Sequence, residues 1–482
     1  MTPPPSPLRR VSAPAYEADK RGRYASNDDT ALEGRLDETL RDSLQAFKGR
    51  QDEDGHWRYE LEADATIPAE YVMLLHHLDM PDPAIEAKIG VYLRRVQGAD
   101  GGWPLFHDGA MDVSASVKAY AALKLVGDST DAPHMVRARE AILRAGGAET
   151  VNVFTRIALA LFGELPWRAA PTMPPEIMLL PKWFPFHLDK VSYWSRTVIA
   201  PLSILMALKP TARNPKNVTL RELFRRPPEE IRRWQSNPTG RIVGEIFILL
   251  DAMARRAEPF FPGRMRRKSI RSALAFIEPR LNGLEGLGGI YPAMAYTVMA
   301  FDALGYDRES EPFKTAMESI RRLIADNGEE AYVQPCLSPV WDTSLALHAV
   351  AEAEAAGLDA PDSDAASRWL AERQIDDVVG DYAAQHPDLA PGGWAFQYRN
   401  DHYPDVDDTA VVVMALDRLG DPQHRPAIDK AARWIEGMQS SNGGWGAFDI
   451  DNDADHLNSI PFADHGALLD PPTVDVSARC LG

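Results

Sequence analysis

The hydrophobic positions of this chain recur with the spacing of amphipathic helices over almost its whole length. Between residues 83 and 97, apolar side chains recur at steps of four, three, one and three, at Ile85, Ile89, Tyr92, Leu93 and Val96. That spacing aligns them along one face of a helix. The chain contains no sustained alternation with a period of two, so the pattern predicts an all-α fold.

A second class of segments is apolar nearly throughout and predicts helices that are buried on all sides. These segments are residues 116–127, 296–305, 342–357 and 409–420. Outer amphipathic helices that alternate with such inner helices are typical of a toroid of helix pairs, in which each pair buries a face against the next. We therefore expect an α/α-barrel architecture.

A short motif connects these helices: a glutamine, a glycine four positions later and a tryptophan two positions after the glycine. Its copies are Gln51-Gly55-Trp57, Gln97-Gly101-Trp103 and Gln439-Gly443-Trp445. Residues 273–290 are a weaker relative that lacks the glutamine and the tryptophan. The glutamine amide can bond backbone groups left free at a helix end, and the indole ring can cover the turn and pack on the preceding helix. The motif is therefore predicted to be structural.

Composition and charge narrow the classes of function. The 482 residues allow two or more domains, and the formal charge of -18 opposes general binding to nucleic acid. Two cysteines, Cys336 and Cys480, are too few for a disulfide framework and favour a reducing cytoplasm. Residues 1–30 are rich in proline and charge, which predicts a flexible leader without the apolar core of a signal peptide.

One stretch departs from the general acidity. Residues 246–253 are apolar, and residues 255–268 add two phenylalanines and six basic side chains. Such a mixture can rest on an anionic lipid surface, or it can be a core helix followed by a solvated basic end. The charge pattern leaves both interpretations open, and no apolar run reaches the roughly 18 residues of a membrane span.

Scans for phosphate-binding loops, zinc-protease motifs and serine-hydrolase motifs find nothing, so the candidate chemistry is acidic and aromatic. Two clusters of aspartates stand out. The cluster between residues 449 and 455 imitates the start of a calcium loop, but Ala454 and Ile460 replace the glycine and the glutamate that such a loop requires. It is predicted to be a solvated turn without a metal.

The other cluster, Asp405, Asp407 and Asp408, directly precedes the inner helix at residues 409–420. Its simplest interpretation is that Asp407 or Asp408 caps that helix. Three carboxylates within four residues repel one another, however, which would keep at least one of them protonated, as general acid chemistry requires.

Aromatic side chains surround this cluster in the sequence, because Trp394, Phe396, Tyr398 and Tyr403 lie just before it. Aromatic faces stabilise cations by about 0.5 to 2 kcal/mol each. An acid beside such faces in an apolar helical barrel is suited to carbocation chemistry on a hydrocarbon.

Taken together, these segments resemble the squalene-hopene cyclases. DVDDTA, SPVWDT, PGGWAFQY, GGWGAFDIDN, DPPTVDVSAR and the repeated Gln-Gly-Trp turns occur in the family's order and cover nearly the whole chain. The resemblance implies that Asp407 protonates a terminal double bond of squalene, with Asp405 and Asp408 holding it by hydrogen bonds and sharing the remaining charge. It implies a hopanoid product, no cofactor and no metal.

The same resemblance assigns the cavity walls, which fold the polyene and stabilise its cations, to Trp194, Tyr296, Trp341, Phe396 and Phe448. Where well-known members place a histidine against the acid, this chain has Arg479, four residues after Asp475. The fixed charge of an arginine would stabilise the aspartate anion, although an arginine cannot relay protons.

Further departures concern the far end of the cavity. Tyr291 stands at the position of the family's glutamine, and Lys118 replaces a glutamate of its polar network, while Glu70 remains. The resemblance therefore leaves open whether the last cation loses a proton, which gives hopene, or captures water, which gives hopanol.

Family architecture implies two α-helical barrels, one inserted in the other: residues 31–335 as the inserted barrel and 336–482 as an incomplete catalytic barrel, since family chains run beyond Gly482. It also implies squalene taken from the bilayer, a monotopic position on the cytoplasmic face of the inner membrane, and a homodimer.

Two alternatives to this function stay open. One is a class II diterpene cyclase, which shares the acid motif but takes a diphosphate with magnesium; the other is an inactive fragment or a helical-repeat scaffold.

Overall fold

The computed structural model describes residues 28–237 and 239–482, and it confirms the all-α expectation. The predicted leader lies, up to residue 27, outside the described residues. The α-helices of the described part are α1 Asp28–Lys48, α2 Thr66–His77, α3 Pro83–Arg95, α4 Val113–Val126, α5 Pro133–Arg144, α6 Val153–Leu161, α7 Tyr193–Leu208, α8 Ile242–Ala257, α9 Gly263–Ile277, α10 Tyr291–Ala303, α11 Glu311–Arg321, α12 Pro339–Ala355, α13 Ser363–Ala371, α14 Val406–Leu419, α15 Arg425–Gly437 and α16 Val474–Leu481.

Two small hairpins and several short 3-10 helices lie between the α-helices of this part of the chain. Strand β1 (Trp103–Pro104) pairs antiparallel with β2 (Met111–Asp112), and β3 (Ile324–Asp326) pairs antiparallel with β4 (Ala331–Val333). None of the described helices has the length and apolar composition needed to cross a bilayer.

The helices form the two kinds of layer that the sequence predicts. The inner helix α4 is buried on almost every side from Ser114 to Leu123, whereas the outer helix α3 buries mainly one face, with Ile89, Tyr92 and Leu93. Helices that are apolar all round need neighbours on every side, so α4 packs on α2 and α10 packs on α7. In the same way α12 packs on α14 in the C-terminal part of the chain.

Buried side chains gather in a large core cluster around α2, α4, α7 and α10 and in smaller ones around α12, α14 and α15. The large cluster also contains Leu457, Phe462 and Leu468 from the C-terminal part. Conversely, Trp57 from the N-terminal part packs with Val340 and Trp394. The predicted domain limits, residues 31–335 and 336–482, stay a prediction.

The Gln-Gly-Trp turns have the hydrogen bonds that the sequence predicts. In the copy at residues 97–103, the Gln97 amide donates to the carbonyl of Gly101 at 2.8 Å, and the Trp103 indole N–H donates to the carbonyl of Leu93 at 2.8 Å. Gly101 has a φ of +94°, which favours glycine. The backbone N–H of Trp103 donates to the hydroxyl of Ser116 on α4 at 2.8 Å, which joins the turn to the next inner helix.

A further copy of this turn escaped the sequence analysis and leads directly to the acidic cluster. The Gln374 amide donates to the carbonyl of Gly392 at 2.7 Å, and the Trp394 indole N–H donates to the carbonyl of Leu370 at 2.7 Å. The backbone N–H of Trp394 donates to the hydroxyl of Thr409 on α14. An insertion between Gln374 and Gly392 hides the motif, because the fixed spacing of four residues is lost.

We expect the indole hydrogen bond of such a turn to stabilise the fold measurably. Replacing Trp103 by Phe leaves the buried carbonyl of Leu93 without this donor and should lower the free energy of unfolding by about 1–3 kcal/mol. Urea denaturation followed by circular dichroism measures the loss. The matched control is Trp183→Phe, at a tryptophan that is 76% exposed, with a change within about 0.5 kcal/mol. Equal losses in the two variants would contradict the structural role.

Candidate active site

The acidic cluster lies at the start of α14, and Asp405 caps this helix. Its Oδ1 accepts the backbone N–H groups of Asp407 at 2.8 Å and Asp408 at 3.2 Å. The expectation that Asp407 or Asp408 is the cap is therefore wrong, because an extended backbone at Asp405 aims its own carboxylate at the free N–H groups of the first turn. The carboxyl groups of Asp407 and Asp408 are left for other contacts.

Two of the three carboxyl groups are almost fully buried: Asp405 is 6% exposed and Asp408 1%. Burial raises the pKa of Asp405 to about 7, although the backbone N–H of Asp408 acts in the opposite direction. Burial also raises the pKa of Asp408 well above its usual range, with the charge of Asp405 and a hydrogen bond to it adding to the effect. The pair thus retains a proton near neutral pH, and burial contributes more to this than the mutual repulsion that the sequence indicated.

Asp407 is the member of the cluster that meets a cation. Nη1 of Arg479 donates to Oδ1 of Asp407 at 2.6 Å and to Oδ2 at 2.8 Å. The guanidinium carbon of Arg479 also lies 5.5 Å from the ring centroid of Trp341, on the first turn of α12. Arg479 therefore lies beside Asp407, the position that the family resemblance implies. Asp475 is exposed and lies at the edge of this group, with an oxygen 3.9 Å from Nη1 of Arg479.

Aromatic rings pack against one another at tilted or edge-on angles beside the acidic cluster. The ring centroid of Tyr193 lies 4.1 Å from that of Phe448 and 4.6 Å from that of Tyr403, and Phe448 lies 5.9 Å from Trp194. Burial and the nearby charge of Asp405 raise the pKa of the Tyr193 hydroxyl. Sequence reasoning had named Trp194, Phe448 and Tyr403 but missed Tyr193, although it directly follows the cap residue Ser192 and precedes Trp194.

A buried ionic network lies behind these rings, and it corrects the interpretation of the second aspartate cluster. Asp449 is not solvated: it is buried, and its Oδ1 accepts a hydrogen bond from Nη2 of Arg196 at 2.9 Å. Asp381 lies between Arg196 and Arg280, whose charges hold its pKa below the usual value against the effect of burial. The later aspartates of the cluster, at 451, 453 and 455, are exposed as expected.

The ionic network also contacts the aromatic rings directly. The Tyr403 hydroxyl donates to Oδ2 of Asp381 at 2.7 Å, and the guanidinium carbon of Arg196 lies 5.7 Å from the Tyr403 ring centroid. Removing one partner of a buried ion pair leaves a charge without compensation, at a cost of about 3–5 kcal/mol. The sequence carried no signal for Arg196, because its partners Asp381 and Asp449 lie far along the chain.

The remaining predicted residues lie in other parts of the structure. Tyr291 and Tyr296 are buried at the start of α10 and line a pocket that includes Glu70. Lys118 pairs with Glu70 at 2.6 Å, and the Tyr291 hydroxyl is buried without a hydrogen-bond partner among the described residues. Phe396 is half-buried in the loop that joins the Trp394 turn to Asp405.

A search of the described residues for three or more His, Cys, Asp or Glu side chains able to share a metal ion finds no such group. The acidic cluster and the rings beside it can supply acid chemistry: a carboxyl group beside a guanidinium, a proton retained on two buried neighbours, and π faces that tolerate positive charge.

Comparisons with known proteins identify the family of this chain. Two family models match the chain, the squalene-hopene cyclase N-terminal domain over residues 40–329 and the C-terminal domain over residues 337–482. A squalene-hopene cyclase of Bradyrhizobium diazoefficiens is 55% identical over 92% of this chain and 68% of its own length. Those of Schizosaccharomyces japonicus and Zymomonas mobilis are 52% and 53% identical, over 94% and 92% of this chain and 70% and 68% of their own lengths.

The raised pKa values of Asp405 and Asp408 predict a pH dependence of stability. Both groups bind a proton more tightly in the folded than in the unfolded protein, so their stabilising effect is full below about pH 4 and is lost as the pH rises, through about 7 for Asp405 and through the raised pKa of Asp408. Asp408→Asn has no such proton to lose. Its free energy of unfolding, relative to wild type, should therefore rise between pH 4 and pH 7, by at most about 1.4 kcal/mol per pH unit.

Urea denaturation at a series of pH values measures this difference. The matched control is Asp388→Asn, at an exposed aspartate, whose difference from wild type should not change with pH. If the free energy of unfolding of Asp408→Asn relative to wild type is as independent of pH as that of the control, Asp408 does not retain a proton.

Proposed function

The chain belongs to the squalene-hopene cyclase family and is a cyclase of that type, and from this premise we propose that Asp407 is the acid that starts the reaction on squalene. The observation that carries the proposal is the contact of both Asp407 oxygens with Nη1 of Arg479, beside two neighbours that retain a proton. The homologues named squalene-hopene cyclase support squalene as the substrate.

In the proposed first step, a proton retained by Asp405 and Asp408 passes to the Asp407 carboxyl group, and the π electrons of a terminal double bond take it from there. A new C–H bond forms, the O–H bond breaks, and the positive charge appears on the more substituted carbon. Arg479 then stabilises the carboxylate that Asp407 leaves behind. Each further ring closes when the next double bond attacks the cation, and loss of a proton or addition of water ends the sequence.

The supporting groups have separate proposed roles. Asp405 orients the first turn of α14 through its two backbone hydrogen bonds, and Asp408 retains a proton next to Asp407. Phe448 and Trp194, together with Trp341 and Phe396, present π faces to the cations, and Tyr291 and Tyr296 line the pocket beside Glu70. Asp475 is assigned only to the surroundings of Arg479, because it is exposed.

We propose further that the face formed by α8 rests on a lipid surface. This helix buries little beyond Gly244, and the apolar side chains Ile242, Ile246, Leu249 and Met253 share one exposed side. Phe260, which follows the helix, is 84% exposed. The alternative of a core helix with a solvated basic end does not fit these exposures.

Charge around this face fits an anionic surface, although the whole chain has a net charge of -18. Exposed basic side chains follow the apolar ones at the end of α8 and along α9: Arg256, Arg264, Arg267, Lys268 and Arg271. Each basic side chain near an anionic bilayer contributes about 1 kcal/mol to binding. The cytoplasmic face of the inner membrane and the homodimer stay predictions from the family resemblance.

An apolar cavity of about 230 Å³ lies behind the same face. Phe247 and Leu250 of α8 line one side, and Phe462 and Leu468 line another. Val191, one residue before the cap of α7 and two before Tyr193, also borders it. We propose that squalene passes from the lipid through this cavity to the aromatic rings.

The acid assignment predicts the effect of a single substitution. Asp407→Asn keeps the size of the side chain but removes the acidic proton, so cyclised product from squalene should fall by roughly 10²–10⁴-fold. Gas chromatography of products from the protein encoded by the natural reading frame measures this. Asp388→Asn serves as the control with unchanged product.

Three outcomes would contradict parts of this proposal. Unchanged product with Asp407→Asn would refute the acid assignment. No product from squalene, but turnover of a C20 diphosphate with magnesium, would favour a diterpene cyclase. No turnover of either substrate would favour a scaffold or an inactive protein.

The lipid proposal predicts weaker membrane binding when the apolar face is charged. Leu249→Glu with Phe260→Glu should lower partitioning onto vesicles of phosphatidylglycerol and phosphatidylcholine by at least about tenfold, because burying each side chain contributes about 1.5–3 kcal/mol. Co-flotation measures the bound fraction, and Val91→Glu, at an exposed apolar residue of α3, is the control. Equal binding by both variants would contradict the proposal.

Replacing Arg264, Arg267 and Lys268 by Gln should weaken binding to anionic vesicles only.

A further inference from the structure

The loop of residues 446–452, here called the Phe448 loop, is fixed by a single buried carboxylate. Oδ1 of Asp470 accepts the backbone N–H of Ala447 at 3.0 Å, and its Oδ2 accepts those of Phe448 at 2.7 Å and Asp449 at 2.9 Å. The loop also lies close to the backbone of Asp470, since a Cβ at Gly446 would be 2.7 Å from the Asp470 carbonyl oxygen. Three consecutive backbone donors therefore end on one side chain.

A second buried contact fixes the same loop from the other half of the chain. The guanidinium group of Arg196, on α7, donates to Oδ1 of Asp449 at 2.9 Å and to the carbonyl of Val191 at 2.6 Å. Both Arg196 and Asp449 are almost fully buried. A displacement of the loop would separate this pair inside the protein, where water cannot replace the lost partner.

The Phe448 loop contacts the proposed acid site in two ways. Through its side chain it presents Phe448 to Tyr193 and Trp194, with ring centroids 4.1 Å and 5.9 Å away. Through its backbone it meets the acid helix, because the carbonyl of Ala447 accepts the N–H of Val406, the first residue of α14, at 2.8 Å. The position of this loop therefore sets both an aromatic ring and the helix start that bears Asp407.

We propose that Asp470 and the Arg196–Asp449 ion pair are positioning residues for cyclisation, which fix Phe448 relative to the acid helix so that cations formed near Asp407 meet its ring. The inference rests on the roles proposed above for Asp407 and Phe448. Asp470 acts through the loop and touches no reacting atom. Asn at position 470 has the same size, but its amide has one acceptor oxygen, so it cannot accept all three N–H groups as the carboxylate does.

The test compares variants of the full chain turning over squalene, with products separated by gas chromatography. We expect Asp470→Asn to lower kcat by about 10-fold to 100-fold with little change in KM, because a small displacement of a positioned group is costly. The fraction of products with fewer rings than wild type should rise. Phe448→Ala should give the same incompletely cyclised products, and the double variant should form no larger fraction of them than the more severe single variant, because both changes remove the Phe448 ring from the cations.

Asp453→Asn, at an exposed aspartate of the same stretch, is the matched control and should keep the wild-type product pattern. If Asp470→Asn does not fold, as judged by thermal denaturation, Asp449→Asn tests the same loop through its second contact. A folded variant with the wild-type product pattern, or with all products reduced in equal proportion, would overturn the inference. Failure of the proposed function is distinct: it would appear as no product from wild type, or as unchanged product with Asp407→Asn.

Discussion

Burial of carboxyl groups at the start of one inner helix is the constraint on which the rest of this structure depends. Water that would otherwise stabilise the charges of Asp405 and Asp408 is excluded there, so these groups keep a proton to a higher pH. The helix start supplies partial compensation, because Asp405 accepts two backbone N–H groups of the first turn. Arg479 supplies a full positive charge, but to Asp407 alone. One short segment thus combines two carboxyl groups that retain a proton with a third that contacts a guanidinium group.

The start of α14 is held in place by hydrogen bonds from segments that are distant in the chain. The Trp394 turn contributes a backbone contact to the cluster, since the N–H of Asp405 donates to the Trp394 carbonyl at 2.7 Å. From the opposite side, the Phe448 loop accepts the N–H of Val406. Buried charges around Asp381 and Asp449 join both sides to α7. These contacts are specific in direction, which apolar packing alone would not be.

The exposed side of α8 differs from the acid site, because its side chains are apolar and face outward. The described part of the chain leaves Ile242, Ile246, Leu249 and Met253 exposed, and the basic side chains nearby oppose the acidic character of the whole chain. A hydrocarbon substrate is poorly soluble in water, so a cavity that begins behind an apolar surface offers it a route that avoids water. The proposed lipid contact and the proposed acid chemistry therefore both suit a hydrocarbon substrate, which avoids water.

Features that depend on local spacing could be predicted from the order of residues alone. The inner and outer helices, the Gln-Gly-Trp turns of fixed spacing and the position of the acidic cluster before a helix all arise from residues close together in the chain. Family motifs added Arg479, and the structure places it against Asp407. Contacts between distant segments decided the rest: Asp405 as the cap, Asp449 paired with Arg196, Tyr193 beside Phe448, and the turn at Trp394 behind its insertion. A pKa, a buried ion pair and a ring contact depend on what surrounds a side chain, and only the folded chain brings those surroundings together.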